Sequence, residues 1–172
     1  MLPKNARYST TMIAIHWLTA ALVLVAYLVS EGGRHVRENP PVLHFACGFA
    51  VLALIFARLI ARAAGGAPPP LDSVGPALAR AAKLGHAALY LMLIAVPLTG
   101  WYAVSRLGVP IDLWGLKIPA IAAAVKGRIG PIGEIHQIGG NAILILAGLH
   151  AAVGVWHQFA RRDHTLERMN PF

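Results

Sequence analysis

Histidine is the residue type in this chain whose number and placement point most clearly to chemistry. The 172 residues include eight histidines, and several of them lie inside long apolar runs. Ionisable side chains are costly in membrane-spanning runs and mark functional sites there, and neutral imidazole is the commonest metal ligand in proteins. The histidines in or next to apolar runs are His16, His44, His86, His136, His150 and His157, whereas His35 and His164 lie outside them.

Two of these histidines share one predicted helix. His136 and His150 are separated by fourteen positions, which is close to four turns at about 3.6 residues per turn. Both side chains are therefore expected on nearly the same face of the helix. A rise of about 1.5 Å per residue places them about 21 Å apart along the axis. One helix thus presents two histidines at two different depths.

The composition predicts what surrounds these side chains. Hydrophobic residues make up 57% of the chain and charged residues 13%, against about 25% charged residues in a soluble domain. The net charge of +8 comes from basic residues that lie between apolar runs, which is unlike the basic surface of a nucleic-acid-binding protein. The single cysteine excludes an intramolecular disulfide, a cysteine-ligated zinc site and a cysteine-held iron–sulfur cluster. These exclusions leave an all-α membrane protein.

Four apolar segments are long enough to cross a bilayer, which takes about 20 residues per helix. The predicted helices are 10–30, 41–63, 80–104 and 134–160, in a single domain that spans residues 1–172. Lys4 and Arg7 precede the first segment as in a signal peptide, but its length and the lack of an A-x-A motif favour a retained helix. The longest loop contains Pro119–Val125, for which the sequence predicts a short interfacial helix.

Loop charges predict the orientation of these helices. With four spans, both termini lie on one side of the membrane, and that side carries nine Lys and Arg residues against six on the other. Basic residues are enriched in cytoplasmic loops. Both termini are therefore predicted to be cytoplasmic.

Depth then pairs the histidines across the predicted four-helix bundle. His16 lies near the start of the first helix and His150 near the end of the fourth, so both belong to the cytoplasmic half. His44 and His136 lie near the starts of the second and fourth helices, so both belong to the outer half. Two transverse histidine pairs in such a bundle fit the axial ligands of two b-type haems. Arg58 is fourteen positions after His44 on the same helix face, where it can pair with a propionate of the inner haem.

Other interpretations stay open at this point. His86 on its own is better explained as a structural side chain, or as one that contacts a ligand, than as a ligand itself. A histidine-lined carrier of metal ions or protons is a non-redox alternative. Zinc transport would favour acidic residues beside the histidines, and no Asp or Glu lies in the interior of an apolar span.

Five short stretches of the sequence resemble a known family. They are IHW at 15–17, HFACG at 44–48, LGH at 84–86, HQIGGNAILILAGLHAA at 136–152 and DHTLERMNP at 163–171. Over residues 8–171 the chain resembles the bacterial cytochrome b561 family. The resemblance implies a four-helix, di-haem b protein of the bacterial inner membrane, with iron ligands at His16, His44, His136 and His150. The members that it most resembles pass electrons from superoxide to ubiquinone.

The resemblance therefore predicts an enzyme that oxidises superoxide at the periplasmic face and reduces ubiquinone. Basic residues in the outer loops would steer an anion toward that face; they are Arg34, Arg37, Arg106, Lys117, Lys126 and Arg128. Candidate quinone contacts are Arg80, Lys83, His86 and His157 near the inner haem, and Trp101 and Tyr102 near the outer one. The alternative is a haem b anchor subunit that passes electrons between a partner dehydrogenase or hydrogenase and the quinone pool.

Overall fold

The computed structural model describes residues 7–30, 35–65, 68 and 75–171. Four long helices account for most of these residues, and a short antiparallel hairpin lies between the third and the fourth. The helices are α1 (Thr10–Leu28), α2 (Val42–Gly65), α3 (Pro76–Leu107) and α4 (Ile132–Trp156), and the strands are β1 (Ile111–Leu113) and β2 (Leu116–Ile118). Two positions discussed above, Lys4 and Arg34, lie outside the described residues.

All four helices are long and apolar enough to cross a membrane, so the prediction of an all-α, four-helix membrane protein is confirmed. The fourth span continues through a π-helical turn at His157–Arg161. α3 is longer than the predicted 80–104, because Pro76 suits the first turn of a helix, where its missing N–H has no partner. Gly108 follows the helix in the left-handed conformation, with a φ of 71°, and ends it.

The four helices pack as two pairs. α1 lies mainly against α2, α3 lies mainly against α4, and α2 also packs on α3. α1 and α4 make few direct contacts with each other. The predicted pair His16–His150 joins α1 to α4, and the predicted pair His44–His136 joins α2 to α4. Both histidine pairs therefore lie where one helix pair faces the other.

The loop after α3 begins with the β1–β2 hairpin. Trp114 and Gly115 form its turn, with φ values of 51° and 101°, as two-residue hairpin turns require. Ile111 on β1 packs in a buried apolar cluster with Val104 and Val109. The hairpin thus closes one end of the bundle with apolar side chains, and we call this the hairpin end.

The short interfacial helix predicted at 119–125 is wrong. That segment has irregular backbone and lies along the last turns of α3. Trp101 Nε1 donates a hydrogen bond of 3.0 Å to the carbonyl of Pro119, and the backbone N–H of Val125 donates one of 3.0 Å to the carbonyl of Arg106. These bonds satisfy loop backbone groups from α3, so an independent helix is not needed to satisfy them.

The opposite end of the bundle is closed by the two chain ends. The backbone N–H of Tyr8 donates a hydrogen bond of 3.2 Å to the carbonyl of Arg168. Trp17 Nε1 donates one of 2.8 Å to the carbonyl of Met169. The segment after α4 therefore folds back over the start of α1, and we call this the terminus end.

Candidate haem-binding sites

The structure brings His44 and His136 together at the hairpin end. Their ring centres are 5.8 Å apart and the ring planes are at 88°. His44 Nδ1 is 2.8 Å from the carbonyl oxygen of Ala26, and His136 Nδ1 is 3.0 Å from that of Val96. A carbonyl only accepts hydrogen bonds, so each Nδ1 carries the proton and donates. Each Nε2 therefore keeps the lone pair that binds a metal.

Gly100 on α3 makes room for one of these rings. A Cβ atom built on Gly100 would lie 2.7 Å from His136 Cε1, closer than side-chain carbons can approach. Thr99, the preceding residue, places its hydroxyl 3.4 Å from His136 Nδ1. Gly100 therefore lies at the level of the hairpin-end pair, in contact with the His136 ring.

The structure also brings His16 and His150 together, at the terminus end. Their ring centres are 6.2 Å apart and the ring planes are at 72°. His86 lies beside the same partner, with its ring centre 5.3 Å from that of His150. His86 Nδ1 donates to the carbonyl oxygen of Ala82 at 2.7 Å, so its Nε2 also keeps a free lone pair. The terminus end thus holds three histidines where the hairpin end holds two.

Arg58 lies in the terminus-end site, as the sequence predicts. Its Nη1 is 3.2 Å from His16 Nδ1, and its Nε donates to the hydroxyl of Tyr90 at 3.1 Å. A guanidinium group only donates, so His16 Nδ1 accepts and the ring proton lies on Nε2. Before His16 can bind a metal through Nε2, Arg58 has to give up this bond and the proton has to move. A carboxylate brought by a cofactor would provide Arg58 with a stronger acceptor.

The two pairs fit the size of a shared metal. Bonds of about 2 Å from a metal to each of two imidazoles on its opposite faces put the ring centres roughly 6 Å apart. The separations of 5.8 Å for His44–His136 and 6.2 Å for His16–His150 match this value. Among the described residues no group of three or more His, Cys, Asp or Glu could hold a metal ion by itself. The pairs therefore suit a metal whose other ligands come from a cofactor, as in haem.

Histidine 157 has a different environment from the other candidates. It is only 7% exposed, and its Nδ1 donates a hydrogen bond of 2.5 Å to the Asp163 carboxylate. Burial acts to raise the pKa of Asp163, but hydrogen bonds from Thr165 and His157 outweigh it and hold that pKa below its usual value. His157 therefore anchors the chain segment that follows α4.

The remaining candidate quinone contacts do not converge on one place. Arg80 and Lys83 are exposed near the start of α3, at the terminus end. Trp101 packs on Phe49, with ring centres 5.1 Å apart, and its N–H is already donated to the loop. Tyr102 is 40% exposed on α3 near the hairpin end. Of the six residues predicted, only His86 contacts one of the histidine pairs.

Sequence reasoning missed the groups that orient the histidine rings. Residue type does not predict that the carbonyls of Ala26, Ala82 and Val96 accept from the histidine rings, because every residue carries a carbonyl. Tyr90 has a weak signal, since a tyrosine hydroxyl in an apolar span needs a polar partner. Its bond to Arg58 supplies that partner.

The chain is similar to known cytochromes over nearly its whole length. A family model described as prokaryotic cytochrome b561 matches residues 7–171. The chain is 31% identical over 171 residues to a probable superoxide oxidase CybB of Yersinia pestis, covering 97% of both chains. It is 30% identical over 173 residues to cytochrome b561 homolog 2 of Escherichia coli strain K12, covering 95% of this chain and 90% of the relative. It is also 30% identical to a cytochrome b562 of Cereibacter sphaeroides, covering 94% of each.

Proposed function

This chain belongs to the prokaryotic cytochrome b561 family of membrane electron-transfer proteins, and from that premise we propose that it is a superoxide:ubiquinone oxidoreductase with two haems b. The observation that carries the proposal is that two histidines from different helices face each other at each end of the bundle. Haems held by these two histidine pairs would supply outer-sphere, one-electron transfer. The name of the Yersinia pestis relative supports the choice of superoxide as the donor.

In this proposal the chain's own residues do two things at each site. His44 and His136 would hold one iron at the hairpin end, and the carbonyls that accept from their Nδ1 atoms leave both Nε2 atoms free to bind it. His16 and His150 would hold the other at the terminus end. There Arg58 would leave His16 Nδ1 and pair with a propionate, because a carboxylate is the better acceptor.

The hairpin end is the side at which we place superoxide. Arg37 and Arg128 line a cavity of about 410 Å³ together with Glu38 and Leu107. Further basic residues of the same loops are Arg106, Lys117 and Lys126. A net positive mouth raises the encounter rate of a small anion and makes that rate fall with salt. With both termini in the cytoplasm of a bacterium, this end faces the periplasm.

The proposed reaction balances without a further reactant. Two superoxide ions lose one electron each and become two molecules of O₂. One ubiquinone takes up the two electrons together with two protons and becomes ubiquinol. Two one-electron sites in one chain suit this stoichiometry, because superoxide gives electrons singly and a quinone needs a pair.

Rapid mixing of superoxide with the purified, haem-loaded chain tests the proposal. We expect superoxide to reduce the haems after mixing. When a short-chain ubiquinone is present, we expect the haems to be reoxidised and ubiquinol to form. Raising the salt concentration is expected to slow the first phase, because Debye screening weakens attraction of the anion. Catalase-treated superoxide that has already dismutated is the control. Absence of reduction by superoxide would overturn the proposal and favour the anchor-subunit alternative.

A further inference from the structure

A polar pair lies on the outside of the bundle, between α1 and α4. The hydroxyl of Tyr27 donates a hydrogen bond of 3.1 Å to Asn141 Oδ1. Both side chains are exposed on the surface of the chain, Tyr27 to 42%. The hydrogen bond thus links two helices that make few direct contacts with each other.

This pair is unusual because its surroundings are apolar. Leu24 and Leu28 flank Tyr27 on α1 and are 51% and 71% exposed. Ile138 and Ile145, one turn on either side of Asn141, are 68% and 65% exposed. These faces contact lipid when the helices span a membrane. Polar side chains at such a place are costly and are retained for function.

A purely structural link between helices explains the pair poorly. Polar residues that join membrane helices lie at the packed interface, where small residues let the backbones approach. Tyr27 and Asn141 instead are both exposed and join two helices that make few direct contacts. Within the part of the chain that the structure describes, the amide nitrogen of Asn141 makes no hydrogen bond. Its two N–H groups are therefore available to donate hydrogen bonds to a ligand.

The pair also lies close to the hairpin-end histidines. Tyr27 directly follows Ala26, whose carbonyl accepts the hydrogen bond from His44. Asn141 is five positions after His136 on α4, which is about 7.5 Å further along the helix axis. A ligand at the pair would thus lie within about 8 Å of the level of the His44–His136 site along the bundle.

We propose that Tyr27 and Asn141 bind the headgroup of a quinone, with its isoprenoid tail along Leu24, Ile138 and Ile145. A quinone ring carries carbonyl acceptors and no donors, which complements the open N–H groups of Asn141. Its tail is apolar and matches the exposed faces of α1 and α4. The inference rests on the proposed function, because a quinone acceptor is part of that proposal.

Other polar groups of the bundle are less suited to this role. The Trp101 N–H is already donated to a loop carbonyl, and the His86 Nδ1–H to a helix carbonyl. The Arg58 guanidinium is engaged by both His16 and Tyr90. Asn141 thus combines an open donor with direct access from the lipid.

Binding of a short-chain ubiquinone to the full, haem-loaded chain in detergent tests the inference. We expect Asn141→Leu to weaken binding about tenfold, since one hydrogen bond contributes about 0.5–1.5 kcal/mol and about 1.4 kcal/mol is a factor of ten. Tyr27→Phe should weaken ubiquinone binding about two- to threefold. This variant keeps the Asn141 amide but removes the hydrogen bond that fixes its orientation. The haem spectrum and haem content should be unchanged in both variants.

Tyr102→Phe is the matched comparison, since Tyr102 is similarly exposed on α3. If it weakens binding while Asn141→Leu does not, the quinone binds elsewhere and the inference is wrong. Equal binding by all variants, with intact binding by the unmodified chain, also overturns the inference but leaves the proposed function standing. If the unmodified chain binds no ubiquinone and ubiquinone does not reoxidise its reduced haems, the proposed function fails as well.

Discussion

The two histidine pairs have similar separations but differ in what holds their rings. At the hairpin end, backbone carbonyls accept from Nδ1 of both His44 and His136. At the terminus end, Arg58 donates to Nδ1 of His16. His86 also lies beside His150 there, so His150 has two histidine neighbours. A carbonyl forces the tautomer that binds iron, whereas a guanidinium forces the opposite one. The hairpin-end site is therefore organised in advance, and the terminus-end site has to rearrange as it binds.

The two ends are also closed by different chemistry. The hairpin end is covered by the apolar cluster around Val104 and Ile111. The terminus end is covered by a polar clasp, in which the buried hydrogen bond from His157 to the Asp163 carboxylate holds the segment after α4. Apolar packing depends little on pH, whereas a contact made by a carboxylate weakens when that carboxylate takes up a proton. Substitutions made at one end at a time test whether the two ends differ in this way.

The largest effect is expected from His44→Ala. Loss of one axial ligand from the site that is already organised should remove that haem and lower haem content by about half, because bis-His ligation needs both side chains. Haem content per chain, measured as the pyridine complex, checks this outcome. A variant that keeps its full haem content would show that His44 is not a ligand.

At the terminus end, His16→Ala and His86→Ala separate the two possible partners of His150. We expect His16→Ala to remove the terminus-end haem and His86→Ala to keep it, because 6.2 Å fits a shared iron better than 5.3 Å. Haem content and the low-spin spectrum of each variant are the measurements. The reverse result would assign His86 and His150 as the ligands there.

A smaller effect is expected from Gly100→Ala at the hairpin end. The added methyl group would press on the His136 ring and weaken haem binding there about tenfold, since overpacking costs about 1–3 kcal/mol. Gly65→Ala, at the last residue of α2, is the control, because a Cβ atom built there has no neighbour within 4 Å. Haem titration of both variants makes the comparison. Equal affinities would mean that the ring shifts aside without loss.

The smallest effect is expected from Asp163→Asn in the polar clasp. Its carboxylate is stabilised in the folded chain, as its lowered pKa indicates, so it contributes stability at neutral pH that is lost as the pH falls below the usual carboxyl range. We expect Tm at pH 7 to drop by about 2–4 °C. The difference from the unmodified chain should shrink as the pH falls below about 4, because the carboxyl of the unfolded chain takes up its proton there while the folded chain keeps the charge to lower pH. A pH-independent difference would show that the charge is not the cause.

The number of spans, the two depths and the identity of the histidines that meet across the bundle could all be predicted from the amino-acid sequence. Those properties depend on the length of apolar runs and on helical period, which act along a single helix. His136 and His150 illustrate this, because their spacing alone places them on one face at two levels.

The hydrogen bonds that hold each histidine ring could not be predicted in this way, because they depend on the packing of the folded chain. Whether His16 meets Arg58, whether His86 approaches His150 and whether Tyr27 reaches Asn141 depend on how the helices are rotated against each other and on side-chain rotamers. The loop after α3 likewise folds as a hairpin because its apolar side chains find a surface on α2 and α3. These outcomes are set by packing between distant segments, which no local period in the sequence records.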